Sequence, residues 1–214
     1  CQAFSVAGKQ QGFNDTRGTL FFDVARILKH KKPKHFILEN VRGLLSHDSG
    51  RTFQTILKVL TDIGYLVQWE VCNSKNYGVP QNRERVYIVG HLREDSRPEV
   101  FPITKVGSEN NQNNKPKEIT KDMSMAYRVY DTDGVSTTLR AVGGGVGAKT
   151  GLYQVGVLKD HNSSIRRLTP TECERLQGFP DGWTEGISDT QRYKCLGNAV
   201  TTNVVCEIAK RLLK

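Results

Sequence analysis

The stretch HFILEN, residues 35–40, joins a short apolar run to a carboxylate and an amide. Such a run fits a buried strand of a parallel sheet, which is hydrophobic throughout rather than alternating. Ligands of open α/β sheets bind beyond the carboxyl ends of the strands. We therefore expect Glu39 and Asn40 to follow the strand and to face a binding crevice. A surface acid without a function would give the same pattern, so Glu39 alone does not decide between the two.

Helical and strand patterns alternate around this stretch. Apolar residues at helical spacing predict a helix over residues 19–32 and a second helix that Thr52 could cap and Gly64 would end. Residues 65–72 and 85–89 have the composition of strands. Alternation of strands and helices predicts an α/β layer with a largely parallel sheet.

Regular periodicity is lost after His91 and returns at residues 169–172. The sequence TPTE there has the pattern of a capping box with proline at the first helical position. It predicts a helix that starts at this point and ends near Gly178. A last helix is predicted over residues 198–214.

Composition favours an anionic partner. The 214-residue chain has 31 Lys and Arg against 22 Asp and Glu, a formal net charge of +9, and nucleic acid is the first candidate. Its five cysteines are irregularly spaced, with no histidine near them in a metal pattern, so we expect neither zinc nor a disulfide framework. No apolar run has membrane-spanning length and no signal peptide is visible, so a membrane is not an expected partner.

Two arginines open the strand pattern at residues 85–89. Arg83 and Arg85 lie at i and i+2, so in a strand both side chains would project from one face. Paired guanidinium groups can hold a carbonyl oxygen, a phosphate or a carboxylate. A solvated run of charges is the alternative interpretation of the same residues.

Taken together, the motifs of the chain resemble those of the cytosine-5 DNA methyltransferases, particularly the bacterial restriction–modification enzymes. CQAFSVAGKQQGF, at the start of the chain, resembles the nucleophile motif and the mobile loop after it. Five further segments match family landmarks in the family's order: ENV at 39–41, QNRER at 81–85, Thr138-Leu139, RLTPTECERLQGFPDGW at 167–183, and GNAV at 197–200.

The resemblance implies an α/β fold, with an incomplete Rossmann-like class I methyltransferase catalytic domain and a small, irregular, β-rich target-recognition domain. The C-terminal part of the α/β core would occupy residues 1–92, target recognition residues 93–165, and the return to the catalytic domain with its closing helix residues 166–214. The family's glycine-rich cofactor motif, which normally precedes the nucleophile, is not in this sequence. We therefore expect a fragment or split subunit, inactive alone, whose partner is a missing N-terminal segment or a complementary subunit.

The resemblance also implies an S-adenosylmethionine-dependent DNA (cytosine-5-)-methyltransferase that acts on a cytosine flipped out of double-stranded DNA. Cys1 would attack C6, Glu39 would contact N3 and the exocyclic amine, Arg83 would hold the O2 edge, and Arg85 would support that arrangement. Other candidates are Leu20, Asn198 and Ala199 for cofactor binding, and Ser5, Lys9, Arg17, Gln81 and Thr138 for DNA contact. The expected location is the bacterial cytoplasm, in association with the nucleoid.

Two other functions compete with this one. A sequence-specific DNA-binding module without catalysis would explain the basic charge and the recognition segment. An N-terminal-nucleophile amidohydrolase would use the α-amine of Cys1 as its base, but it explains none of the later motifs. RNA as the substrate is a minor variant of the methyltransferase hypothesis.

Overall fold

The computed structural model describes residues 16–93, 98–105, 115–120, 123–124, 127–141, 150–155 and 164–214. These residues divide into two compact units. The first contains the described residues up to Cys72 together with Glu84–Ile103 and Glu207–Lys214, and the second contains Asn73–Arg83 and Thr104–Cys206.

Helices and strands are mixed along the described residues, which confirms the predicted α/β class. The helices are α1 (Thr16–Lys31), α2 (Arg51–Asp62), α3 (Pro170–Leu176), α4 (Asp189–Asn198) and α5 (Thr202–Leu212). The strands are β1 (His35–Val41), β2 (Tyr65–Asn73), β3 (Glu84–Leu92), β4 (Val129–Asp131), β5 (Leu152–Val155) and β6 (Ser164–Arg166).

The first unit contains a three-stranded sheet of order β1-β3-β2. Strands β1 and β3 are antiparallel, with Phe36 opposite Gly90 and Leu38 opposite Ile88. The expected parallel arrangement is therefore wrong for this pair. Residues Val86–Val89 of the central strand are buried at every position, and a strand buried on both faces has the same hydrophobic pattern whichever direction its neighbour runs.

One hydrophobic cluster joins this sheet to its helices. Leu28 of α1 and Ile56 and Leu60 of α2 pack with Phe36 and Ile88 of the strands. Each of these side chains is at most 8% exposed, so the cluster supplies the apolar burial that holds the unit together.

Several predicted boundaries shift. Strand β1 continues to Val41, so Glu39 and Asn40 lie within the strand and not beyond its end. Gly50 occupies the N-cap of α2, whereas Thr52 is buried inside the helix with its Oγ1 2.7 Å from His47 Nδ1. The shift at Glu39 arises because β1 remains paired with β3 beyond its apolar residues.

The predicted last helix is in fact two elements. Asn198 ends α4, Ala199 adopts an extended conformation (φ −68°, ψ 162°), and α5 begins only at Thr202. The prediction joined the end of α4 to α5 because a three-residue break leaves the helical spacing of apolar residues nearly unchanged.

The second unit contains a small sheet in which β4 is parallel to β5 and β5 is antiparallel to β6. The capping box of α3 is confirmed: Thr169 Oγ1 accepts from the backbone N–H of Glu172, and the Glu172 carboxylate accepts from the backbone N–H of Thr169. Helix α3 ends at Leu176, two residues before Gly178.

A buried carboxylate organises the segment after α3. Glu174 is 0% exposed and accepts hydrogen bonds from the backbone N–H groups of Gly182 and Thr184, both at 2.8 Å. Arg192 of α4 donates to the same carboxylate at 3.0 Å. These bonds compensate the desolvation of Glu174, and the pKa of its carboxyl group is lowered by the bonds from Thr184, Arg192 and Gly182 despite the opposing effect of burial.

Within the described ranges, no helix is long and apolar enough to cross a membrane. The same residues include no group of three or more His, Cys, Asp or Glu side chains that could hold a metal ion.

Gly90 makes room for an aromatic ring across the sheet. A Cβ atom built at Gly90 would overlap the ring of Phe36, its partner on β1. We expect Gly90→Ala to lower the free energy of unfolding by about 1–3 kcal/mol, since overpacking forces the ring or the strand to move. Urea unfolding measures this loss. Phe36→Leu in the same chain should recover part of it, and wild-type stability of Gly90→Ala would contradict the expectation.

Glu172 makes the stability of the chain depend on pH. Hydrogen bonds from Arg166 and Thr169 lower the pKa of its carboxyl group from 4.5 to about 2. A depressed carboxyl pKa stabilises the fold fully above pH 4.5, and the stabilisation is lost as the pH falls towards 2.

We expect Glu172→Gln to be less stable than the wild type by about 1 kcal/mol at pH 7, because the ion pair with Arg166 is partly exposed, and the difference to shrink below pH 4.5. Urea unfolding across this pH range provides the measurement. Glu185→Gln, at an exposed position in the same unit, serves as the control. A difference that stays constant with pH would contradict the assignment.

Candidate active site

Three predicted site residues lie outside the described part of the structure. They are the predicted nucleophile Cys1 and the predicted DNA contacts Ser5 and Lys9. Arg17 belongs to the first turn of α1, but its side chain also lies outside the description. The roles of these residues stay predictions.

Glu39 and Arg85 form an ion pair in the first unit. Val41 is the cross-strand partner of Arg85, and Glu39 lies two residues before it on the same face of β1, so the two charged side chains are diagonal neighbours. Arg85 Nε lies 3.0 Å from Glu39 Oε1. The side chains are 14% and 16% exposed respectively, which leaves both partly accessible. The pair therefore offers a hydrogen-bond acceptor beside a fork of donors.

Burial affects the electrostatics of this pair. Desolvation lowers the pKa of the Arg85 guanidinium, and the charge of Glu39 opposes that change. Arg85 Nη1 also donates to the backbone oxygen of Glu84 at 2.8 Å, which fixes the orientation of the fork. Since guanidinium groups stay charged in proteins, a partly dehydrated positive charge is available beside the carboxylate.

Arg83 has entirely different partners, which lie in the second unit. Its side chain is buried, the residue being 2% exposed, and Nη1 donates to the oxygen of Leu139 at 3.2 Å. Nη2 donates to the oxygens of Gly197 and Ala199 at 3.3 and 2.8 Å. The last carbonyls of a helix lack intrahelical donors, so Arg83 satisfies the end of α4 and places a cation at its negative pole.

Gln81, a predicted DNA contact, is fully buried in the same unit. Its Nε2 donates to the oxygen of Leu176 at 2.7 Å, and its Oε1 accepts from the N–H of Leu139 at 3.1 Å. A DNA contact by this side chain would require it to leave these partners. Thr138, the other predicted contact here, is half-buried and donates from Oγ1 to the oxygen of Asn82 at 2.6 Å.

Sequence reasoning missed Gln177. This fully buried side chain donates from Nε2 to the oxygen of Leu196 at 2.7 Å, and its Oε1 accepts from Thr201 Oγ1 at 2.9 Å. It thereby ties the end of α3 to the break between α4 and α5. One signal in the sequence could have identified Gln177. It is a polar residue directly after Leu176, at a position that the helical pattern does not require to be polar.

The predicted cofactor contacts include both polar and apolar groups. Asn198 is exposed at the end of α4, so its amide can reach a bound molecule. Ala199 is held in an extended conformation by the bond from Arg83 to its carbonyl. Leu20, on α1 in the other unit, presents an apolar side chain that is 57% exposed.

The chain matches the model of a known protein family along its whole length. The family model of the C-5 cytosine-specific DNA methylases matches residues 1–141 and 103–214, and these two overlapping matches cover the whole chain.

Related proteins agree with this match. The type II methyltransferase M.HpaII of Haemophilus parainfluenzae is 38% identical, with 100% of this chain and 70% of the relative covered. M1.ScrFI of Lactococcus lactis subsp. cremoris is 38% identical, covering 100% and 60%, and M.HhaI of Haemophilus parahaemolyticus is 36% identical, covering 98% and 72%. The chain thus spans 60–72% of the lengths of these relatives.

Solved structures share the fold at lower sequence identity. The S. pombe Dnmt2 methyltransferase is 21% identical, with a TM-score of 0.67 over 100% of this chain and 75% of that protein. The Entamoeba histolytica methyltransferase EhMeth is 21% identical, with a TM-score of 0.66 over 100% and 74%. From the family model and the relatives together, we conclude that the chain belongs to the C-5 cytosine-specific DNA methylase family, a family of methyltransferase enzymes.

Proposed function

We propose that this chain carries the base-activating residues of a DNA (cytosine-5-)-methyltransferase, which methylates C5 of a cytosine flipped out of a specific duplex sequence. The observation that supports the proposal most directly is the ion pair of Glu39 and Arg85, 3.0 Å apart and partly accessible. Its acceptor and donors complement the edge of cytosine that carries N3, the exocyclic amine and O2. The relatives are named type II methyltransferases, and this favours a role in restriction–modification.

Cytosine C5 is a weak nucleophile, so the base has to be activated. The Cys1 thiolate would form a bond to C6, and the electron pair of the C5–C6 double bond would shift to C4–C5, so that C5, N3 and O2 share the negative charge. C5 is then nucleophilic enough to take up the methyl group. The Glu39 carboxyl group can share a proton with N3 and accept from the exocyclic amine. Loss of the C5 proton after methylation restores the double bond and releases Cys1.

Arg85 is the better candidate for the O2 contact. It lies beside Glu39, and its guanidinium keeps donors beyond the one used in the ion pair. Arg83, which the motif alone assigned to O2, already directs its two Nη groups to three backbone oxygens. We therefore assign Arg85 to the base and Arg83 to the support of the backbone around α4.

S-adenosylmethionine, when bound, would supply the electrophilic methyl group. The family resemblance implies Leu20, Asn198 and Ala199 as the residues that would hold it. Residues 93–165 would provide target recognition, Ser5, Lys9 and Arg17 would contact DNA phosphates, and Thr138 would contact the DNA within the recognition segment. A bacterial cytoplasm, where chromosomal DNA is present, is the compartment that this activity requires.

Removing the charge of Glu39 or Arg85 should impair methyl transfer. We expect Glu39→Gln and Arg85→Met in the full-length protein to lower kcat by about 10²- to 10⁴-fold, because each removes a group that stabilises the activated base. Transfer of a labelled methyl group to duplex DNA measures the effect, and thermal unfolding shows whether the variants are folded.

A second ion pair, between the residue directly after β1 and the first residue of β3, provides a matched control. Arg42 and Glu84 form an ion pair of 2.7 Å whose side chains are 64% and 41% exposed. Glu84→Gln should therefore leave kcat within about twofold, since exposed pairs contribute little. Full activity of folded Glu39→Gln would overturn the assigned role of that carboxyl group.

Cys1 can be tested by trapping the covalent adduct. In a duplex with 5-fluorocytosine at the target position, the last step cannot occur, because fluorine cannot leave as a cation where a proton would. We expect the full-length wild type to form a DNA adduct that survives denaturing electrophoresis, and full-length Cys1→Ser to form none. An adduct at equal yield in Cys1→Ser would exclude Cys1 as the nucleophile, whereas absence of methyl transfer by the full-length wild type would favour a DNA-binding module.

A further inference from the structure

A small pocket in the second unit has no role in the mechanism above. Its volume is about 170 Å³, and its lining includes Asn82, Arg128, Thr137, Thr138, Arg140 and Thr150. Pockets for drug-sized ligands are larger, about 300–1,000 Å³. The size suits one small chemical group, and the lining includes two arginines and no acidic residue.

One wall of the pocket is rigidly held. Leu139, between the lining residues Thr138 and Arg140, has its N–H bonded to Gln81 Oε1 at 3.1 Å and its carbonyl oxygen bonded to Arg83 Nη1 at 3.2 Å. Gln81 and Arg83 are both buried, with exposures of 0% and 2%. The backbone that carries Thr138 and Arg140 is therefore fixed before any ligand arrives, which reduces the entropic cost of binding.

The hydroxyl groups of this wall are already used as donors. Thr138 Oγ1 donates to the oxygen of Asn82, and Thr137 Oγ1 donates to the oxygen of Thr150 at 2.7 Å. The amide oxygen of Asn82 accepts from Asn73 Nδ2 at 2.7 Å, which leaves the Asn82 amino group as the donor end. Its hydrogens have no acceptor among the described residues.

Arg140 is the cation that remains available. Its side chain is half-buried, and no hydrogen bond or ion pair involves its guanidinium within the ranges that the structure describes. Arg128, the other arginine, donates from Nε to the oxygen of Met123 at 3.1 Å and lies 3.5 Å from a carboxylate oxygen of Glu118. A half-buried charge is unfavourable unless an opposite charge compensates it, and since the described residues place none at Arg140, an anionic ligand would stabilise the site.

We propose that this pocket binds a backbone phosphate of the DNA substrate, with Arg140 as the principal ligand and the amino group of Asn82 as a second donor. A guanidinium fork and an amide donor match the acceptor-only oxygens of a phosphodiester. The surplus of positive charge on the chain agrees with such a partner. The proposal rests on the proposed function, because it takes duplex DNA as the substrate.

The salt dependence of DNA binding tests the pocket. A neutralised phosphate contributes about −0.9 to the slope of log K against log[salt]. We expect Arg140→Ala in the full-length protein to make this slope less steep by about 0.9 and to weaken binding about tenfold or more. Target and scrambled duplexes should be affected by the same factor, because a phosphate contact does not depend on the base. Arg140→Lys should keep the slope and recover part of the affinity.

Lys58→Ala provides the control, since it removes the same charge from an exposed position on α2, in the first unit. Its slope should equal that of the wild type. An unchanged slope in Arg140→Ala, or a loss of affinity for the target duplex alone, would overturn the phosphate site. Methyl transfer by the wild type is measured in parallel. If it is present while Arg140→Ala keeps the wild-type slope, the pocket proposal fails and the proposed function stands; if it is absent, the proposed function fails.

Discussion

The second unit depends on the burial of the Arg83 guanidinium among backbone carbonyls. Burying a cation is costly unless hydrogen bonds compensate its lost hydration, and here Leu139, Gly197 and Ala199 supply oxygens to the two Nη groups. The same bonds supply donors that the end of α4 lacks. The hydrogen bonds of Arg83 thus compensate the desolvation of its guanidinium and of the carbonyl groups at the end of α4. Both partners would lose these bonds if either of them moved away. The extended backbone at Ala199 follows from this constraint.

Buried amides extend this arrangement. Gln81 fixes Leu139 and the end of α3, and Gln177 reaches Leu196 and Thr201. In a low-dielectric interior, each of these polar groups is costly unless it is bonded, so the network admits few alternative conformations. The proposed phosphate pocket and the cofactor candidate Asn198 are both carried by backbone that the network holds. The QNRER motif therefore provides structure through Arg83 and, in the proposed function, the contact to the base through Arg85.

Much of the local structure was predictable. The capping box at Thr169 and Glu172 depends on residues three positions apart, and the helix starts where it was expected. Strand directions were not predictable, because β3 is buried at nearly every position and its pattern is the same beside a parallel or an antiparallel partner. The prediction that Glu39 follows the strand was wrong for a related reason. Strand β1 stays hydrogen-bonded to β3 beyond its apolar residues, and β3 lies far away in the sequence, so the local pattern does not show where the pairing ends.

Motif order and short-range patterns are properties of the chain, so the family, the α/β class and the residue types of the candidate site could be inferred before any fold was known. Which arginine pairs with Glu39 becomes visible only in the folded protein. Two residues separate Arg83 from Arg85, and a period-two pattern treats them as equivalent. Arg85 pairs with Glu39 of β1, whereas Arg83 donates to the carbonyl oxygens of Leu139 and of the backbone at the end of α4. Long-range contacts distinguish the two arginines, since the backbone carbonyls engage both Nη groups of Arg83 while Arg85 retains donors for a ligand.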